Sequence, residues 1–309
     1  MQKGLCRALT RLGIATEGAV LLEDTTFTVL LLRDVVVKLF PSDAGDAFCR
    51  ELDGLARGAE TGLPVPRVLA QGMLKRGTRY LVASRLAGRP LHSMAVLEHQ
   101  MALDMAVFLG KAVRALHDSR RTVLPCESDL HAAQWCRLMA TRLDALPSQR
   151  WLRRRMHCSS ARAQLRSDSG FWPVNWMSLF AWSDRPVYLH GDINNENILI
   201  RSCSSNTKTA FGLLDFSDSL FGHRLYDFVA VHVSIFTCDK RLLSLFLQAY
   251  GMHALPPSAA AFAYACFVYC LLCDSPAFRT AVHFVPQLAD CATLSDMAAL
   301  LFDVSVPSP

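Results

Sequence analysis

The chain has 309 residues, of which 51% are hydrophobic and 19% charged, with a formal net charge of +5. That much apolar material supplies a core for one large domain or two small ones and excludes general disorder. The positive charge is modest and scattered, so it suits a polyanion such as a nucleotide and argues against nucleic acid as a partner.

Residues 1–13 are basic and carry Leu5, Leu9 and Leu12. The segment can pass for a weak transit peptide, but the leucine spacing reads better as a short amphipathic helix packed on the fold. Residues 19–40 are dense in Val, Leu and Thr and predict three antiparallel strands at 20–22, 27–32 and 35–40. Their joints are Glu23-Asp24-Thr25-Thr26 and Arg33-Asp34. Residues 44–61 predict a helix with Phe48, Leu52 and Leu55 on one face, and 63–69 an extended link. A further strand is expected at 80–84, and Gly88-Arg89-Pro90 interrupts the chain after it.

Beyond residue 90 the pattern becomes helical. Residues 99–117 form a long amphipathic stretch with Met101, Met105, Phe108, Leu109, Val113 and Leu116 as its apolar positions. Residues 122–183 are less regular and hold Trp135, Trp151, Trp172, Trp176 and Trp182, read as core packing in preference to an aromatic wall for a ligand. Two short apolar segments, 186–189 and 211–214, predict buried strands, and the chain after Leu225 reads as helices. The run 259–273 is the most apolar, yet shorter than the roughly 20 residues a bilayer span needs, so it predicts a buried helix and no membrane partner. Eleven cysteines lie at irregular spacings, which points to reduced thiols and a cytoplasmic setting. Cys266, Cys270 and Cys273 share a helix face, but no histidine or fourth cysteine follows at a zinc-like spacing, so buried small side chains are the expectation. The order of elements implies an α+β, bilobal architecture: a small antiparallel β-rich lobe over residues 1–86 and a larger helical lobe over 87–309.

The chemistry concentrates in His190-Gly191-Asp192-Ile193-Asn194-Asn195-Glu196-Asn197, followed by Asp215-Phe216. Phosphoryl transfer from a metal-bound nucleotide needs one carboxylate at the acceptor hydroxyl, and an amide and a second carboxylate on the magnesium ions. Asp192 is the candidate base, while Asn197 and Asp215 offer hard oxygen donors. His190 and Asp227, the latter in Tyr226-Asp227-Phe228, are read as structural supports. Asp218 is ambiguous between a supporting acid and an exposed loop residue. A lone His-Gly-Asp can be only a turn, but the ordered set with Asn197, Asp215 and Asp227 argues against coincidence. Lys38 stands in an otherwise apolar strand, where it can reach phosphates with Glu51 as its partner. The blander alternative is an edge-strand lysine pointing at solvent.

At these residues the chain resembles the aminoglycoside phosphotransferase and choline kinase-like family. Further echoes are the segment from Gly222 to Ala230, Leu116-His117 and Phe246-Leu247-Gln248-Ala249-Tyr250-Gly251. The resemblance runs over about residues 19–251 and implies a protein-kinase-like fold with ATP and Mg2+ as cofactors. By that likeness Lys38 binds the ATP phosphates, Asp192 is the catalytic base, and Asn197 and Asp215 hold magnesium. Glu51, Thr25, Thr26 and the hinge residue Ser84 complete the nucleotide side. One departure stands out: the turn at 23–26 has no glycine and two acids, where a small-residue turn normally lets backbone amides approach phosphates. Its threonine hydroxyls are the substitute donors.

The expected function is an ATP-dependent kinase of a small-molecule hydroxyl. A catalytically silent kinase-like binding or regulatory module is the alternative that the turn raises. Protein phosphorylation is disfavoured, because no Ala-Pro-Glu-type anchor follows Asp215. Glu127, Asp129, Asp239 and Asp274 are acids available to a cationic acceptor, whereas Arg150, Arg153, Arg154 and Arg155 form a basic run read as a solvated helix face. The acceptor's identity and the oligomeric state are not encoded in any of these features.

Overall fold

The computed structural model describes residues 3–22, 25–94, 98–119, 125–146, 185–202, 209–253, 258–273 and 277–305. Its contacts divide the chain into two compact units, Met1–Ser93 with Asn197–Ser219, and Met94–Glu196 with Leu220–Pro309. The units are not contiguous stretches of sequence. Asn197 and Asp215 belong with Lys38 in the first, Asp192 and Asp227 in the second.

The first unit is built on a five-stranded antiparallel sheet of order β1-β2-β3-β5-β4. The strands are β1 (Val20–Leu22), β2 (Thr28–Leu31), β3 (Val35–Phe40), β4 (Val68–Met73) and β5 (Arg79–Ser84). Pleating sends alternate residues of β3 to opposite faces. Val37 and Leu39 pack with Leu30, Leu32 and Val82 against Leu5 and Leu9 of helix α1 (Lys3–Arg11). Lys38 and Phe40 take the other face, where helix α2 (Gly45–Glu60) brings Phe48 to an edge-on contact with Phe40 at 5.4 Å. Because β3 is the central strand, Lys38 is not an edge lysine, and it is buried. The unit also holds a three-stranded sheet of order β6-β8-β9, from β6 (Arg89–Pro90), β8 (Ile198–Ser202) and β9 (Thr209–Leu213). Ile198 pairs with Leu213, and the Leu214 amide donates to the Asn197 carbonyl at 2.9 Å. The two sheet strands thereby bring Asn197 and Asp215 to one end of the same hairpin.

The second unit is helical apart from a two-stranded pairing of β7 (Val187–Leu189) with β10 (Leu220–Gly222). Its helices are α3 (His99–His117), α4 (Pro125–Ala145), α5 (Leu225–Ala230), α6 (Lys240–Tyr250), α7 (Ala259–Leu272), α8 (Ala277–Phe284) and α9 (Leu294–Phe302), with a π turn at Val231–Ile235 after α5. The α7 helix is the predicted apolar run, capped by the Ser258 hydroxyl and buried on nearly all sides from Phe262 to Leu272. Among the described residues no single helix is long and apolar enough to cross a membrane. Cys266 and Cys270 are buried free thiols, and no metal-holding cluster of His, Cys, Asp and Glu occurs among the described residues.

Three local expectations change. The link at 63–69 ends in β4, an edge strand whose residues are mostly exposed, so it lacks the alternation that marks a half-buried strand. The irregular stretch after residue 122 contains the long helix α4, with Trp135 and Met139 buried. Leu12 lies beyond the end of α1 and is 45% exposed, whereas Leu5 and Leu9 are buried. Trp151, Trp172, Trp176, Trp182 and the arginine run lie outside the described residues.

Docking of α1 is directly measurable. Leu9→Ala is expected to lower stability by about 2–3 kcal/mol in urea unfolding, the low end for a leucine truncated in a core. Leu12→Ala should change it by less than ~0.5 kcal/mol; equal effects would mean that α1 does not pack on the sheet.

Candidate active site

The first unit gathers one buried cation and two carboxylates. Lys38 Nζ lies 2.6 Å from Asp215 Oδ1 and 3.5 Å from Glu51 Oε2. The aromatic rings of Phe27 and Phe40, with centroids 5.2 and 5.3 Å from Nζ, flank the ammonium on its apolar side. One ammonium cannot neutralise two carboxylates, so their protonation splits. Burial pushes the Glu51 carboxyl up to about 7; Lys38 opposes this, and the negative Asp215 beside it adds to it. Asp215 is also buried, which by itself would raise it, but Lys38 and two donations from Ser217 hold it down to about 2. A proton kept on Glu51 can be donated to the Asp215 carboxylate, which makes the trio a self-consistent set.

Asp215 is held in an uncommon backbone conformation, with φ of 59°. For a residue with a side chain that costs on the order of 1–2 kcal/mol. The loop after it offsets this: the Ser217 amide and hydroxyl both donate to Asp215 Oδ1, at 3.2 and 2.6 Å, and the Phe216 amide donates to Glu51 Oε2 at 2.7 Å. Gly54 on α2 is required here, since a Cβ on it would lie 2.3 Å from that of Phe216. Across the hairpin end Asn197 is buried. An ionised carboxylate and a neutral amide are oxygen donors of the kind that would suit magnesium, a hard cation.

The second unit carries the other acid. Gly191 has φ of 85°, a region open to glycine, and lets the chain turn between β7 and Asp192. Asp227 is fully buried and accepts from the His190 amide at 2.9 Å and the Gly191 amide at 3.0 Å. Its third partner is His117 Nε2 at 3.1 Å, and His117 Nδ1 meets the Tyr250 hydroxyl at 2.9 Å. Burial lowers His117 against the pull of Asp227, which favours a neutral ring. Burial also pushes the Tyr250 phenol up to about 12. Tyr250 therefore donates to Nδ1, the Nε2 proton goes to Asp227, and every member is satisfied. Asp192 itself is half-buried, and Asn194 Nδ2 donates to its Oδ2 at 3.0 Å while Asn194 Oδ1 accepts the Glu196 amide at 2.8 Å.

The anticipated residues thus fall into two groups: Lys38, Glu51, Asn197 and Asp215 in one unit, His190, Asp192 and Asp227 in the other. Thr25 turns its hydroxyl to the Phe27 carbonyl at 2.5 Å, and Thr26 is exposed. Ser84 exchanges hydrogen bonds with the Arg67 backbone, its hydroxyl accepting at 2.9 Å and its amide donating at 2.8 Å. Asp218 is exposed, and Asp239 caps α6 by accepting the Arg241 amide. Glu23, Asp24 and Asp274 lie outside the described residues. Sequence reasoning gave no role to Arg50, Ser217 and Asn194, and met His117 and Tyr250 only as echoes of the family resemblance. Of the first three, only Asn194 carries a signal, an Asx residue two positions after an acid in a turn.

The raised Glu51 carboxyl has a pH signature. Its folded-state value of about 7 lies above the 4.5 of a free carboxyl, so the folded protein binds the extra proton between those limits. Stability from this group is present below about pH 4.5 and is lost as pH rises through about 7. Relative to Glu51→Gln, the wild type should lose on the order of 1–3 kcal/mol between pH 5 and pH 7.5. Urea unfolding at both pH values checks this, and a constant difference would mean that Glu51 is already ionised at pH 5.

Residues 18–262 match the model of the phosphotransferase enzyme family. Among solved structures, an aminoglycoside 2'-phosphotransferase in complex with GDP is similar over 97% of this chain and 96% of its own, with a TM-score of 0.64 and 16% identity. The GDP and kanamycin complex of APH(2")-IIia covers 96% of both chains, with a TM-score of 0.63 and 15% identity. A microcompartment-associated aminopropanol kinase covers 97% of this chain and 100% of its own, with a TM-score of 0.52 and 18% identity. These likenesses carry the protein-kinase-like fold. The chain belongs to the phosphotransferase enzyme family.

Proposed function

We propose that the chain is an ATP-dependent kinase of a small-molecule hydroxyl, in which Lys38, Asn197 and Asp215 serve the nucleotide and Asp192 the acceptor, with magnesium as the metal and an amino-bearing alcohol as the acceptor class. The observation that carries this reading is Lys38, a buried ammonium on the central strand, bonded at 2.6 Å to the acid that follows β9. Lys38 holds the phosphates of ATP as a fixed point charge. Asp215 and Asn197 hold magnesium, which neutralises charge on the phosphates when bound. Asp192 accepts the proton of the acceptor hydroxyl as its oxygen bonds to the γ-phosphorus, and the bond from that phosphorus to the ADP oxygen breaks. Asn194 orients Asp192, and Asp227 fixes the two amides that precede it. The acceptor class is supported by the kanamycin and aminopropanol in the names of similar structures, both compounds that pair a hydroxyl with an amino group.

The glycine-free turn at 23–26 supports one rival, a silent module. Two measurements divide the readings. Asp192→Asn should lower kcat by about 10²–10⁴-fold with ATP, magnesium and kanamycin or aminopropanol, because it removes a general base. Its KM for ATP should change far less. Saturating ATP and magnesium, at about 100 times their dissociation constant, should stabilise the wild type by roughly 2.7 kcal/mol. Absence of both turnover and stabilisation would establish the silent module instead.

A further inference from the structure

We propose that Arg50 is a positioning residue for the metal-holding acid, setting the conformation of Asp215 from helix α2. The inference rests on the reading that Asp215 holds magnesium. Arg50 Nε donates to the Ser217 carbonyl at 2.6 Å, and the Ser219 hydroxyl donates back to the Arg50 carbonyl at 3.3 Å. Ser217 is also the residue whose amide and hydroxyl grip Asp215 Oδ1. One peptide neighbour of the carboxylate is thus clamped from both ends: its carbonyl by a guanidinium, its donors by the acid itself.

The clamp has a reason to exist. Asp215 sits at φ of 59°, a conformation that a side-chain-bearing residue keeps only when its surroundings over-determine it. On the same helix, Glu51 takes the Phe216 amide and Gly54 leaves room for the Phe216 ring. Glu51, however, uses the same carboxylate oxygen for Lys38, at 3.5 Å. Arg50 adds a second hold on the loop from the same helix, a guanidinium donation to a carbonyl, which is stronger than a bond between neutral groups. Removing it should leave the fold standing, because Arg50 is only half-buried. The carboxylate would then spend part of its time off the geometry that magnesium requires.

The test is the magnesium dependence of turnover at saturating ATP in Arg50→Met and Arg50→Lys. Arg50→Met keeps the apolar stem and removes the donor. The magnesium concentration for half-maximal rate should rise about 10-fold, the size expected when a group supporting a ligand is lost. Acceptor KM should stay within about twofold, and Arg50→Lys should recover part of the shift. Unchanged magnesium dependence in a folded Arg50→Met protein overturns the proposal, as does a loss confined to thermal stability. Should Arg50→Met not fold, Arg50→Lys decides by the same criterion. Asp215→Asn serves as the control. If it leaves the magnesium dependence as in wild type, the metal reading itself has failed; if it abolishes activity while the Arg50 variants behave as wild type, only the positioning role falls.

Discussion

The sharing of one buried ammonium between two carboxylates sets the terms for the rest of the first unit. Lys38 is on the central strand because the pleat of β3 gives Val37 and Leu39 to the α1 side and leaves Lys38 and Phe40 facing α2. A buried cation in an apolar strand is tolerated only if paired. Asp215 is the closer partner and stays ionised, which leaves Glu51, at 3.5 Å, buried with too little positive charge. Glu51 therefore keeps a proton into the neutral range, and the trio carries no uncompensated charge. Any divalent cation on Asp215 adds positive charge to that balance, favouring the ionised form of Glu51.

A second buried carboxylate solves the same problem without a cation. Asp227 is fully buried and meets two backbone amides and a histidine ring, and the ring is in turn satisfied by Tyr250. Its task is rigidity. Two successive amides fixed on one carboxylate hold the backbone on either side of the Gly191 turn, and Asp192 follows directly. Each acid nominated for chemistry is thereby braced by its own network, within its own unit. The six residues from Asp192 to Asn197 carry the chain from one unit to the other, so the motif is continuous in sequence but divided between two sets of supports.

What was legible in the sequence follows from this division. β3, α2, α3 and the strands of the catalytic segment have apolar periodicity that matches their burial, and the ionisable residues inside them stand out against it. β4 did not, because as an edge strand it buries neither face cleanly, and α4 mixes polar and apolar residues around its circumference. Among the candidate site residues, those nominated for charge or metal chemistry stand out by type and spacing. Arg50 and Ser217 do not, and His117 shows only in the resemblance and not by its role, for a physical reason. Arg50 bonds to a carbonyl, Ser217 uses its amide as well as its hydroxyl, and His117 reaches a residue 110 positions away. Backbone partners leave no trace in residue identity, and long-range ones leave none in spacing.

The glycine-free turn takes on a different meaning beside these contacts. Phe27, at its end, lies opposite Phe40 on the neighbouring strand with ring centroids 4.7 Å apart, and both rings border Lys38. A cross-strand aromatic pair contributes about 0.5–1.5 kcal/mol beyond its buried area, enough to fix the start of β2 without a special backbone conformation. The Thr25 hydroxyl closes on the Phe27 carbonyl and stiffens the same place. Phe27 thereby borders the ammonium that the proposed reading assigns to the phosphates. On that reading, with no glycine between residues 23 and 26, the charge that would hold a triphosphate comes from Lys38 and from a metal on Asp215 and Asn197. Much of the first unit, from the pleat of β3 to the bonds on Ser217, keeps Lys38 and Asp215 in place.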